Sequence, residues 1–211
     1  MGYIKFRLAK PCDAKQIAHC HWKVRDRYSH GIFLSMGEGF LRAYYKIILD
    51  DPWEVVVCAE NDKGKIIGFS SATLDAALQA NNLRKHKIKL GIAAIGAVLK
   101  KPILIKDIWM RYKALNNKHD TPKFVKTEGV RGEYWCWLKD EDSLLSVDLD
   151  NAKGHIMYDL GYKDVYFEVD KINKQVYKYH TKVCKAEIID EIVLPDGRVR
   201  TLLKKKLKPS I

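Results

Sequence analysis

No two cysteines of this chain form a Cys-x-x-Cys pair, and the five present, Cys12, Cys20, Cys58, Cys136 and Cys184, are scattered and odd in number. That pattern excludes a disulfide framework and a zinc ribbon, and it suits a reducing, cytoplasmic compartment. The start, Met1-Gly2-Tyr3-Ile4-Lys5-Phe6, lacks the apolar core of a secretory signal, and Phe6 stands where a myristoylation motif requires Ser or Thr. No export is expected. Long apolar runs are also missing: the stretch Leu90 to Leu99 has ten residues, whereas a spanning helix takes about 20. Its flanking lysines would suit an interfacial membrane helix. The plainer reading is a helix that covers a sheet or gates a cleft, so membrane contact is not expected. His19 and His21 are two apart, hence on different helix faces, which argues against a metal site. There is no internal repeat and no low-complexity segment.

Positive charge is abundant. Lys and Arg number 38 against 26 Asp and Glu, a formal charge of +12, which predicts an anionic partner: nucleic acid, an acidic membrane surface, or a phosphorylated cofactor or substrate. Arg84, Lys85, Lys87, Lys89, Lys100, Lys101 and Lys106 cluster mid-chain, and Lys204, Lys205, Lys206 and Lys208 crowd the end. A length of 211 residues and 47% hydrophobic content suit a single domain with a full core, residues 1–211, carrying a helical insert at about 82–116.

Periodicity supplies the elements. Ile4, Phe6 and Leu8 alternate as in a half-buried strand, and Pro11 and Asp13 open a helix with Ile17, His21, Val24 and Tyr28 on one face. Phe40, Leu41, Tyr44, Ile47 and Ile48 mark a second helix from about Glu38 to Leu49, stopped by Asp50-Asp51-Pro52. Trp53 to Glu60 and Lys65 to Leu74 read as a hairpin around Asn61-Asp62-Lys63-Gly64. Asn82 to Asn116 is helical and basic, broken at Pro102, and Asn116 to Lys126 is a polar loop. Val130 to Leu138, with Tyr134-Trp135-Cys136-Trp137, is too apolar for an edge and reads as a central strand. Leu145, Leu149, Ala152, Ile156 and Leu160 trace a helix stripe ending at Gly161. Val165, Phe167 and Val169 alternate in the next strand, Asn173 opens a helix whose Val176, Tyr179, His180 and Val183 share a face, and Glu187 to Leu207 closes as a hairpin around Pro195-Asp196-Gly197. The fold class expected is α/β: a mixed central sheet of about seven strands, parallel in the middle, with helices on both faces.

This order, with Ile4 to Asp13, Phe33-Leu34-Ser35-Met36-Gly37, Phe40-Leu41, and Gly161 to Val169 followed by Asn173 and Lys182, resembles the GNAT superfamily of acyl-CoA-dependent N-acyltransferases over nearly the whole chain. The resemblance implies a GNAT-like fold and direct attack of a primary amine on a thioester, with acetyl-CoA or another acyl-CoA as co-substrate. The family's bulged central strand offers backbone groups to the pantetheine arm and the oxyanion, a role falling on Tyr134, Trp135 and Cys136. Its phosphate loop, Arg/Gln-x-x-Gly-x-Gly/Ala, falls on Glu141, Asp142, Ser143, Leu144, Leu145 and Ser146. Here Glu141 replaces the cation or amide, Leu144 and Ser146 replace small residues, and Asp140 and Asp142 add charge. A carboxylate about 6 Å from a phosphate costs roughly 1–3 kcal/mol. The structural reading of the same residues is a helix start with Ser143 as N-cap. Asn173 matches the family's asparagine, and His180 stands where the family's thiolate-protonating tyrosine does, although a histidine on an apolar helix face is also an ordinary core residue. Cys184 occupies a usual glycine position. Glu128, Glu133 and Asp75 are candidate bases, with Glu128 adopted.

The expected activity is acyl transfer, acetyl transfer foremost, to a small amine, amino sugar or peptide. The implied partners are that amine substrate, an anionic partner and a second copy of the chain in a homodimer. The alternative is a non-catalytic module of the same fold that has lost CoA binding and contacts a protein, membrane surface or nucleic acid.

Overall fold

Apolar alternation in the strands and apolar stripes in the helices fold onto one another as layers. The computed structural model describes residues 3–25, 36–100, 102, 126–138, 141, 143–194 and 197–210. Within them lie strands β1 (Ile4–Leu8), β2 (Glu54–Asn61), β3 (Ile66–Thr73), β4 (Arg131–Trp137), β5 (Asp164–Asp170), β6 (Glu187–Val193) and β7 (Val199–Lys206). The helices are α1 (Ala14–Lys23), α2 (Gly37–Ile48), α3 (Ala76–Lys85), α4 (Lys87–Lys100), α5 (Leu145–Asp159) and α6 (Lys174–Lys178). The strands form one seven-stranded sheet in the order β1-β2-β3-β4-β5-β7-β6. Every neighbouring pair is antiparallel except β4 and β5.

One face of the sheet is covered by α1, α2 and α4, where Ile17, Leu41 and Tyr45 pack against Phe69 and Cys136. The other carries α5, whose Leu149 and Met157 pack against Val57, Ile67, Trp137 and Val165. The mixed sheet with helices on both faces is the architecture the periodicity predicts. No helix among the described residues is long and apolar enough to cross a membrane.

Three local readings differ. The helical insert starts at Ala76 rather than near 82, because Asp75 caps α3: its Oδ1 accepts from the amides of Ala77 at 2.8 Å and Leu78 at 3.1 Å. In α5 the buried residues are Leu149, Asp150, Lys153, Gly154 and Met157, while Leu160 of the expected stripe is exposed. Asp150 and Lys153 are buried as an ion pair at 2.8 Å. After α6 the chain makes a π-helical turn, Tyr179–Val183; its wider turn buries His180 and leaves Val183 exposed, so the expected shared face is broken. The segment expected as a helix after Pro102 through Trp109, most of the loop 116–126, the turn Ser29-His30-Gly31 and Pro195-Asp196 lie outside the described residues.

Candidate active site

The site begins with a register shift. Ser70 pairs with Trp135 and Ala72 with Gly132, so β4 spends three residues where β3 spends two, and a bulge lies at Glu133–Tyr134. The Ser71 hydroxyl closes it: Tyr134 N–H donates to Ser71 Oγ at 3.1 Å, and that hydroxyl reaches the Tyr134 carbonyl at 3.5 Å. Past the bulge, the next strand leaves. β4 and β5 share a single register pair, Arg131 with Tyr166, and two parallel strands joined only there open as a wedge toward Trp137 and Asp170.

On the α5 face, Trp135 enters this wedge. Its Nε1 donates to the Ser146 carbonyl at 2.9 Å, tying the central strand to the first turn of α5. Its ring lies 5.7 Å from His180 and 5.4 Å from Tyr179, and Phe167 of β5 lies 4.4 Å from His180. His180 is therefore buried among aromatic rings, and among the described residues its Nδ1 has no hydrogen-bond partner. Burial pushes its pKa down to about 4, with the Asp150 carboxylate pulling the other way. Asp150 itself accepts from Ser70 Oγ at 3.1 Å, Lys153 Nζ at 2.8 Å and Lys205 Nζ at 3.0 Å. Burial would raise its carboxyl, but the two ammonium groups outweigh burial and hold it well below the usual carboxylate range.

On the opposite face lies a chain of polar contacts. Gln79 Nε2 donates to Glu54 Oε1 at 2.9 Å, Arg131 Nη2 to Gln79 Oε1 at 2.8 Å, and Arg131 Nε to Glu133 Oε1 at 2.8 Å. Burial raises the Glu54 pKa to about 9, with the Glu133 charge adding to it. Burial likewise raises Glu133, held back by Arg131. Glu168 of β5 is lifted by burial to about 7 against the pull of Arg200 and Arg131. Glu54 Oε2 and Glu168 Oε1 are buried without a hydrogen bond among the described residues.

The structure thus brings Trp135, Ser146 and His180 together and sets Tyr134 and Cys136 in the α1–α2 layer. Trp137 Nε1 reaches the Glu141 carbonyl at 3.4 Å, so this loop is also held by the strand's tryptophans. Asp142 lies outside the described residues. Ser143 is not the N-cap: Leu144 occupies that position, with no side-chain capping bond. The chain is already turning there, since Ser146 N–H donates to the Ser143 carbonyl at 3.1 Å and Val147 N–H to the Leu144 carbonyl at 3.2 Å, so Ser143 contributes its carbonyl rather than its hydroxyl. Leu144 is 78% exposed at the helix tip, with Leu145 half-buried behind it. Asn173 caps α6 through Oδ1, which accepts from Val176 N–H at 3.4 Å. Glu128 is exposed in the loop before β4, and Asp75 is engaged as the α3 cap. Glu54, at the start of β2, and Glu168, on the face of β5 opposite Val165, Phe167 and Val169, were not among the expected bases.

No protein-family model matches the chain, and no curated protein sequence does either. Solved structures match its whole path. An acetyltransferase of the GNAT family from Bacillus cereus superposes with a TM-score of 0.55 at 11% identity, covering 98% of this chain and 99% of its own. An aminoglycoside 6'-acetyltransferase gives 0.56 at 11%, with coverage of 98% and 99%. A spermidine N-acetyltransferase variant from Vibrio cholerae gives 0.54 at 10%, with coverage of 96% and 93%. Agreement of this extent in chain path, reached with so little sequence in common, shows that the protein has the fold of the GNAT acetyltransferases.

Proposed function

We propose that the protein is an acyl-CoA-dependent N-acyltransferase that moves an acyl group, acetyl foremost, to a primary amine. The observation that carries the reading is the wedge between β4 and β5, open after one register pair, with His180 on one side and buried glutamates on the other. The thioester end of an acyl-CoA would fit there, because the Nδ1 of His180 is a buried polar atom with no hydrogen-bond partner among the described residues. The co-substrate would supply the activated acyl carbon. Tyr134, Trp135 and Cys136 would line its pantetheine arm, with Asn173 at the start of the neighbouring helix. Residues Glu141 to Ser146 would meet its phosphates.

The remaining chemistry belongs to the chain. An attacking amine must arrive neutral, and Glu168, with its pKa near 7, is matched to accept the ammonium proton. Glu128, exposed and outside the wedge, is less suited. Nitrogen then bonds to the acyl carbon, the carbon–sulfur bond breaks, and the proton shed by the acylated nitrogen ends on the leaving sulfur, which the N–H of the neutral His180 would hold by a hydrogen bond. The carboxylates on the acceptor side suit a cationic amine of the kind named in the aminoglycoside and spermidine enzymes.

A second reading, a binding module without CoA, is favoured by one observation: the amides of Ser146 and Val147 are already engaged within the α5 turn, in a loop with no glycine between Glu141 and Ser146. Calorimetric titration with acetyl-CoA separates the two. Saturable binding, with acetyl transfer to spermidine or an aminoglycoside detected by thiol release, supports the enzyme. Absence of any binding heat at millimolar acetyl-CoA rejects it.

A further inference from the structure

Among the described residues, helix α4 is covered on one side only. Ala94 is buried, and Leu90 and Ala93 pack with it into the layer formed by α1 and α2. On the outer side, Ile88, Ile92, Ile95 and Leu99 are 72%, 65%, 52% and 76% exposed. At 3.6 residues per turn these four aliphatic side chains fall within about 60° of arc and form one continuous ridge. Lys87 and Lys89, both exposed, lie about 100° to either side of it. No Asp or Glu occurs from Ala76 to Lys106, while Arg84, Lys85, Lys87, Lys89, Lys100, Lys101 and Lys106 do. The sequence suggests a covering helix; the structure shows a helix that covers with one face and offers the other.

We infer that this face of α4 docks on an anionic phospholipid surface, the aliphatic ridge entering the headgroup boundary and the flanking lysines meeting lipid phosphates. Charge complementarity selects this occupant. A second copy of the chain would set one acid-free, lysine-rich segment against another, which Coulomb repulsion opposes. Nucleic acid would satisfy the lysines but leave the ridge in water. A ridge on a single convex helix also has no groove to grip a peptide, whereas a fluid surface adapts to it. The inference is independent of the acyl-transfer reading, because it uses neither the β4–β5 wedge nor any residue placed in it.

The test is flotation of the full chain with vesicles of phosphatidylcholine alone and of an equimolar phosphatidylcholine–phosphatidylglycerol mixture. Partition is expected into the anionic vesicles only. Ile92→Asn/Ile95→Asn should lower the partition coefficient by about tenfold or more, and Lys87→Gln/Lys89→Gln by about tenfold. Thermal midpoints report whether the variants fold; if the first pair does not, Ile88→Asn/Leu99→Asn at the ends of the ridge repeats the measurement. Failure of the wild type to float with anionic vesicles overturns the proposal, as does equal flotation of the isoleucine variants. It is also overturned if light scattering shows a wild-type dimer that those variants dissociate, since a second copy would then be the occupant.

Discussion

At the scale of single residues, His180 and Glu168 are poised by the same force with opposite signs. Both are buried, and burial disfavours the charged form of each. The His180 pKa falls to about 4, so between about pH 4 and the ordinary histidine value near 6.5 the unfolded chain holds a proton that the folded chain refuses. Stability is therefore lost as pH falls through that window. His21, lowered to about 4 by its own burial, acts in the same direction. His180→Phe should remove about half of the decline in unfolding free energy between about pH 6.5 and 4.5, on the order of 2 kcal/mol. Urea titrations at several pH values measure it, and an unchanged slope would contradict a buried neutral imidazole. For Glu168 the folded state keeps the proton up to about pH 7, so stability declines as pH rises from the ordinary carboxylate range to that value. Glu168→Gln should flatten that decline and, under the acyl-transfer reading, lower kcat by about 100-fold or more while erasing the rise in rate near neutral pH. A wild-type rate profile retained by the glutamine variant would remove Glu168 from proton transfer. His180 was singled out through the GNAT resemblance, seven positions after Asn173, and the structure buries it beside Trp135 and Phe167. Glu168 was not: it sits out of phase with Val165, Phe167 and Val169, in the place an alternating strand reserves for solvent, and only the packed sheet shows that water is excluded there.

At the scale of elements, the first turn of α5 carries the conflict between scaffold and chemistry. Under the acyl-transfer reading, Glu141 and the exposed Leu144 would meet a pyrophosphate that needs amides or cations and open backbone. Removing one carboxylate about 6 Å from a phosphate is worth roughly 1–3 kcal/mol, and glycine at an N-cap costs a helix only a few tenths of a kcal/mol. Glu141→Gln/Leu144→Gly should tighten CoA binding by about ten- to a hundredfold with little change in thermal midpoint. Calorimetry on both proteins measures the ratio; equal affinities would mean that the phosphates bind elsewhere. The elements themselves were readable from periodicity. The β4 bulge was expected only through the family resemblance, and its place at Glu133–Tyr134 is fixed by the register with β3; what escaped were the π-turn that rotates Val183 outward and the polar inner face of α5. No local pattern predicts burial of Asp150 with Lys153, because the second cation on the Asp150 carboxylate, Lys205, arrives 55 residues later from the last strand.

At the scale of the molecule, that same cluster bridges a division in the sheet. Strands β1 to β4 and strands β5, β7 and β6 meet through one register pair, so backbone hydrogen bonds hold the halves together weakly. Two things on the α5 face compensate. Leu149 and Met157 pack among residues of both halves, Val57 and Ile67 on one side and Val165 and Leu207 on the other. Asp150 joins Ser70 of β3 to Lys205 of β7 through a single carboxylate. Removing that carboxylate leaves two ammonium groups in a dry interior, a loss of about 3–5 kcal/mol. The loss should not be shared evenly, because β1, β2 and β3 keep their mutual ladders and the α1–α2 layer, while β5, β6 and β7 lose an anchor they cannot replace. Asp150→Ala should therefore speed amide hydrogen exchange in β5, β6 and β7 well beyond its effect on β2 and β3, when peptides from wild type and variant are compared by mass spectrometry. An equal acceleration across both halves would mean that the sheet opens as one cooperative unit and that the wedge, whatever it binds, is not a mechanical seam.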